Sequence, residues 1–185
     1  MRIAVIGPQN TGKSTFVKDF LKAFPAYSTT QETYRDLVKQ KGLQINQKTT
    51  EESQRAIRDF LFHQTFDGNE QNILFDRCVI DNYIYTLAQF EKGVIGEEFL
   101  KETEEIMYKS LSGLDVLVFI PTAVSVSLVN DLLRDTNTAF VDRVNCLFIE
   151  TLFEITKRSP VKIVVVAGSR EERISQIQKT LALSE

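Results

Sequence analysis

Residues 7–14 read Gly7-Pro8-Gln9-Asn10-Thr11-Gly12-Lys13-Ser14, a full match to the spacing GxxxxGK[ST]. A loop of that spacing turns its backbone N–H groups inward around phosphate oxygens, and the start of the following helix adds its dipole. Gly12 permits close approach of the backbone, Lys13 has the length to reach β- and γ-phosphates, and Ser14 has the hydroxyl to ligate Mg²⁺. Gly7, Asn10, Thr11, Gly12, Lys13, Ser14 and Thr15 are the expected phosphate contacts.

Such a loop works only between a strand and a helix. An apolar run, Ile3–Ile6, precedes it, and Ser14–Phe24 follows with Phe16, Val17, Phe20, Leu21 and Phe24 at helical spacing. Further strand-length runs are Ile73–Phe75, Leu114–Ile120 and Val161–Ala167, β-branched and without polar alternation, as in a sheet covered on both faces. Helical patterns cover Glu51–Phe66, Ile80–Glu91, Glu97–Leu111, Val141–Thr156 and Arg170–Leu183. Strands alternating with helices predict an α/β fold with right-handed crossovers.

Composition narrows the class. The chain has 185 residues, 43% hydrophobic and 25% charged, which fits one globular domain over residues 1–185 and excludes a disordered, collagenous or coiled-coil protein. The net charge of −3 weighs against a dedicated nucleic-acid binder. Two cysteines, Cys78 and Cys146, and one histidine, His63, supply neither a disulfide framework nor a zinc cluster. The longest uncharged stretch, Val116–Asn130, is too short and too polar to span a bilayer, which takes about 20 apolar residues. A cytoplasmic protein with no membrane partner is expected.

With its strand and helix in place, the 7–14 segment resembles that of the P-loop nucleoside-triphosphate-binding proteins. No NKxD motif is present to read guanine, and an AAA-type motor needs more chain and a separate helical subdomain. The run Ile73-Leu74-Phe75-Asp76-Arg77-Cys78 resembles the Asp-Arg-Ser or Glu-Arg-Ser segment of thymidylate kinases, deoxyribonucleoside kinases and ribosylnicotinamide kinases, with Cys78 where serine is frequent. Asp76 and Arg77 close an apolar strand, which is where ligands sit in open α/β sheets. The resemblance implies that Asp76 acts with Ser14 on Mg²⁺ and that Arg77 faces the phosphoryl group or the acceptor.

Glu32 and Arg35 look like the Glu-x-x-Arg segment of the ribosylnicotinamide kinases, which implies Glu32 as general base toward a hydroxyl and Arg35 beside the acceptor. The same spacing also suits a pair on a helix surface. Asp81 and Tyr85 lie one turn apart and suit the acceptor pocket, although Asp81 equally suits a helix cap. Arg134 and Arg143 flank a polar loop and look like the arginines of a lid that excludes water. Either is also compatible with a solvated helix charge. Gly168, after the last strand, suits the loop along the adenine or a plain turn.

The resemblance implies a P-loop kinase three-layer sandwich: a five-stranded parallel sheet in the order 2-3-1-4-5, helices on both faces, and a short lid around 130–145. It implies an ATP- and Mg²⁺-dependent kinase, with a nucleoside, nucleoside monophosphate or related small molecule as acceptor and a homodimer as a possible assembly. Two alternatives stay open. One is a kinase acting on a modified base or end in DNA, which the charge disfavours. The other is a nucleotide-binding regulatory ATPase without an acceptor.

Overall fold

A computed structural model describes residues 1–45, 48–68, 70–122 and 138–182. Strands β1 (Arg2–Ile6), β2 (Ser28–Thr29), β3 (Ile73–Asp76), β4 (Val116–Phe119) and β5 (Lys162–Val165) form one parallel sheet in the order β2-β3-β1-β4-β5. That is the expected topology. β1 lies centrally, paired with β3 on one side and β4 on the other.

Alternation along the strands divides the core into two layers. Ile3 and Val5 of β1 face one layer, with Phe16, Val17 and Phe20 of α1 (Lys13–Ala23) and Ile177 of α7 (Arg170–Leu181). Ala4 and Ile6 face the other. There they meet α3 (Glu51–Phe66), α4 (Val79–Phe90), α5 (Glu97–Leu111) and α6 (Thr138–Arg158). Helices α3 and α5 match their sequence boundaries.

Helix α2 (Tyr34–Lys41) was not among the expected elements. Its signal is local and present: Thr33 caps it, the Thr33 N–H and hydroxyl both donate to Asp36 Oδ2 at 2.9 and 2.7 Å, and Gly42 ends it at φ 62°. The expected lid at 130–145 lies outside the described residues up to position 137, and from Thr138 onward it is helix α6. Among the described residues no helix is long and apolar enough to cross a membrane.

Candidate active site

β1 delivers the chain into the 7–14 loop at the carboxyl edge of the sheet. Gly7 adopts φ 141°, and a Cβ there would stand 2.3 Å from the carbonyl oxygen of Ile120, just beyond β4. Only glycine allows the loop to pass that carbonyl. Gly12 takes φ 84° as the N-cap of α1. Lys13 is buried, and its Nζ donates to the carbonyls of Gly7, at 2.7 Å, and Pro8. Burial pulls the Lys13 ammonium well below its ordinary value, Arg77 adds to the effect, and Asp81 and Asp76 oppose it.

Ser14 Oγ, in the first turn of α1, donates to Asp76 Oδ2 at 2.9 Å. Asp76 closes β3, one strand over from the loop, so the two expected metal ligands meet at the sheet edge. A hydroxyl and a carboxylate are hard oxygen donors of the kind that holds Mg²⁺, which takes few protein ligands and fills its remaining positions with phosphate oxygens and water. The residues present fit that ion.

Arg77 follows at φ 85°, a left-handed conformation unusual for a side chain of its size. Its N–H donates to the Val5 carbonyl at 3.0 Å, and its guanidinium is buried, donating to Asp81 Oδ1 at 2.9 Å. It lies over the rings of Tyr34, at 4.8 Å, and Tyr85, at 5.9 Å. Burial works against the Arg77 charge, yet Tyr34, Asp81, Tyr85 and Asp76 together hold it more firmly protonated than an ordinary arginine. Asp81 is not the N-cap of α4 but its N3 residue, and it serves both the helix start and the cavity wall. It closes a capping box on Cys78 at the start of α4, and it borders the cavity beside Arg77. Burial lifts the Asp81 carboxyl, which Arg77 and Lys13 offset only in part. The Tyr85 hydroxyl, pushed up to about 12 by burial, donates to Gln9 Oε1 at 3.2 Å.

Two hollows flank the loop. One is bordered by Gln9, Tyr34, Arg35, Arg77, Asp81 and Tyr85, with Ile45, Ile57 and Leu61 as its apolar wall and Gln54 and Asn82 at its polar end. The other is bordered by Asn10, Thr11, Gly12 and Thr15 on the loop side and by Gly168, Ser169, Arg170 and Arg173 beyond β5. Gln9 and Asn10 are consecutive in the chain and line different hollows, so the loop is the partition between them.

Other expected residues lie apart. Glu32 stands exposed on the turn before α2, its carbonyl accepting from Gln64 Nε2 at 2.7 Å, and it does not border the cavity. The Thr33 cap starts the helix one residue later, which brings Tyr34 and Arg35 to the cavity. Glu32 precedes the helix, so the two residues do not form a helix-surface pair. Arg143 is on α6, its fork on Glu91 at 2.5 and 3.0 Å and on Glu150 at 3.1 Å, and it borders neither hollow. Arg134 lies outside the described residues.

Sequence reasoning missed Arg173. Its Nη1 donates to the Thr11 carbonyl at 2.8 Å and its Nε to the Gly168 carbonyl at 3.0 Å, linking the phosphate loop to the loop after β5. Beside it, Arg170 forks onto Asp19 of α1. Gln54 and Asn82 were missed as well. Neither belongs to a motif, and they meet only because α3 packs on α4.

Fold and loop together define an α/β P-loop domain with the sheet order anticipated from the kinase resemblance. The model of a family described as an AAA domain matches residues 2–173, and the chain belongs to that family. The family description names no reaction, and the sheet extends across the described chain without a separate helical subdomain. No curated protein matches the sequence. Among solved structures, NadR in complex with NR superposes with a TM-score of 0.71 at 15% identity, over 98% of this chain and 52% of that one. The chain thus spans about half the length of NadR. Deoxyadenosine kinase from M. mycoides, with the products dCMP and dCDP, gives 0.71 at 18% identity over 98% and 99%. Thymidylate kinase from Candida albicans gives 0.67 at 17% over 97% and 90%. These likenesses establish the fold.

Proposed function

We propose that this protein is an ATP- and Mg²⁺-dependent kinase that transfers a phosphoryl group to a nucleoside, a nucleoside monophosphate or a related nucleotide-like acceptor. The observation that carries the reading is the partition of two hollows by one phosphate loop, Gln9 bordering one and Asn10 the other. A nucleotide lying along Asn10–Thr15 with its base toward Gly168 would direct its terminal phosphate toward Lys13, Ser14 and Asp76. The second hollow opens on the far side of the same loop, beside Arg77. A hydrolase needs only water there, whereas a walled cavity with aromatic, apolar and amide borders suits an organic acceptor.

The residues divide the work as follows. Lys13 and Arg77 place fixed positive charge where negative charge develops on the transferring group, and burial strengthens that effect. Ser14 and Asp76 would hold Mg²⁺, which when bound neutralises phosphate oxygens. Arg77 is itself held by Asp81, Tyr34 and Tyr85, so its position is set before any ligand arrives. Arg35, half-buried at the cavity mouth beside the Tyr34 hydroxyl, is placed to meet a polar substituent of the acceptor. Glu32 or Asp76 would accept the proton of the attacking hydroxyl, Glu32 by a movement of the turn before α2. NadR, deoxyadenosine kinase and thymidylate kinase, whose fold this chain shares, support the same class of acceptor.

The test is release of ADP from Mg-ATP by purified protein, with nucleosides, nucleoside monophosphates, nicotinamide riboside or DNA supplied in turn. Stimulation by one small-molecule class is the expected result. Stimulation by DNA alone would move the acceptor into a polymer. Slow turnover indifferent to every addition would point to a regulatory ATPase.

A further inference from the structure

Helix α6 buries one side and leaves the other uncovered. Val144, Phe148, Leu152 and Ile155 face the core. On the outer side Cys146, Ile149 and Phe153 are exposed and follow one another at steps of three and four residues, so they form a single stripe. Ile149 is 53% exposed and Phe153 62%. Of the five exposed large apolar side chains among the described residues, these two alone share an element. Neighbouring apolar exposure of that kind, unlike a scattered single residue, marks an interaction face.

Charge frames the stripe with opposite signs at its two ends. Asp142 lies one turn before Cys146, exposed and without an ion-pair partner among the described residues. Lys157 lies one turn after Phe153, its Nζ 4.2 Å from the centre of that ring and donating to Glu154 Oε1 at 2.8 Å. An antiparallel copy of the same helix reverses the order of the ends. About a two-fold axis between Ile149 and Glu150, Asp142 meets the partner's Lys157, Cys146 meets the partner's Phe153, and Ile149 meets the partner's Ile149. The symmetry makes each charge pair occur twice. A parallel copy would set Asp142 on Asp142. Glu150, the carboxylate beside the axis, already accepts from Arg143 Nη1 at 3.1 Å.

We infer that the outer face of α6 is a homodimer seam, occupied by the α6 of a second copy of this chain running antiparallel. Self-complementary charge selects the occupant: the face is acidic at one end, basic at the other and apolar between. None of the seam residues borders either hollow, so the seam does not depend on which reaction the hollows serve. Asp142 to Lys157 spans about 22 Å of helix, and a strip of that length about 10 Å wide falls well short of the roughly 800 Å² per partner of a stable complex. The dimer is therefore a weak one, with a Kd in the micromolar range.

Analytical ultracentrifugation of the full chain from about 1 to 300 μM tests the seam without any substrate. The unmodified protein should pass from monomer to dimer within that range. Asp142→Lys and Lys157→Asp should each raise the Kd about tenfold or more, because one change turns two attractive contacts repulsive. Combining them exchanges the signs and should return the Kd to within about threefold of the parent. Should either charge variant lose its cooperative melting transition, Phe153→Ser addresses the same face and should also abolish the dimer. A monomer at every concentration, which would leave the face to some other occupant, would overturn the inference. So would a dimer indifferent to both single charge variants or to Phe153→Ser. Failure of the double variant to recover what the single ones lose would overturn it as well.

Discussion

Ser14 Oγ donates to Asp76 Oδ2 across 2.9 Å, tying the first turn of the helix that leaves the phosphate loop to the last residue of the neighbouring strand. The two residues are 62 positions apart in the chain. Parallel pairing of β1 with β3, with Val5 opposite Asp76, sets them side by side. In the proposed reading, this hydroxyl and this carboxylate beside the loop would be the protein's share of a Mg²⁺ site.

Asp76→Asn keeps an oxygen for Ser14 to donate to but removes the charge. Its kcat/KM should fall by about 10–100-fold with a raised Mg²⁺ requirement, the usual scale for disturbed metal sites. Ser14→Ala should lose less, and neither should shift the melting temperature much. Titrating activity against Mg²⁺ at saturating ATP measures this, and an unchanged Mg²⁺ dependence in Asp76→Asn would remove the residue from the site.

Gly7→Ala should be strongly destabilising, because the new Cβ meets the Ile120 carbonyl at 2.3 Å and the φ of 141° is itself strained for alanine. The strained backbone alone costs about 1–3 kcal/mol, before the clash is counted. Chemical denaturation reads the difference directly. Gly42→Ala is the control, since φ 62° carries strain but no atom lies within 4 Å of the new methyl.

Arg173→Ala should raise the KM for ATP by about tenfold, the scale of two lost hydrogen bonds of ~1 kcal/mol each, partly re-formed by water. The acceptor KM should hold within about twofold, because Arg173 borders only the hollow beside Gly168. Arg173→Lys, with one point of attachment in place of a fork, should rescue little. Steady-state kinetics with each substrate varied in turn separates this positioning role from a general loss of fold, which would move both constants.

Asp19 and Arg170 give a pH signature. The hydrogen bond from Arg170 holds the Asp19 carboxyl below its ordinary value of 3.8. A depressed carboxyl adds stability that is fully present above the unfolded value and is lost as pH falls through the folded one. Asp19→Asn should therefore be less stable than the parent at neutral pH, and the gap should narrow steadily below about pH 4. Parallel melting curves from pH 7 to pH 3 measure it, and a gap independent of pH would mean that the pair contributes nothing by charge.

The legible parts of the fold and site were local. Gly7–Ser14 states its chemistry in eight consecutive residues, and the apolar runs around it place β1 and α1. Asp76-Arg77 was found because a strand end is visible in sequence. What was missed depends on packing between distant segments. Gln54 and Asn82 are ordinary helix residues until α3 packs on α4, and nothing near Arg173 announces the Thr11 carbonyl 162 positions away. Arg143 shows the converse: an arginine near a loop suggests a lid, but the partners that claim it, Glu91 and Glu150, declare themselves only in three dimensions. Helix α2 was a different omission. Its Thr33-Asp36 capping box was readable, but its short apolar stripe gave the helix no periodic signal of its own.

Transfer of labelled γ-phosphate from ATP to the acceptor, by the unmodified protein and by Lys13→Ala, tests the central claim most directly. Lys13→Ala should lower kcat/KM for acceptor phosphorylation by about 100-fold or more, the scale of removing one preorganised donor to transition-state charge. Folding should be retained, because the two loop carbonyls that Lys13 Nζ meets can then turn to water. An unchanged kcat/KM in Lys13→Ala would contradict the assignment of residues 7–14 as the phosphate-binding and catalytic loop.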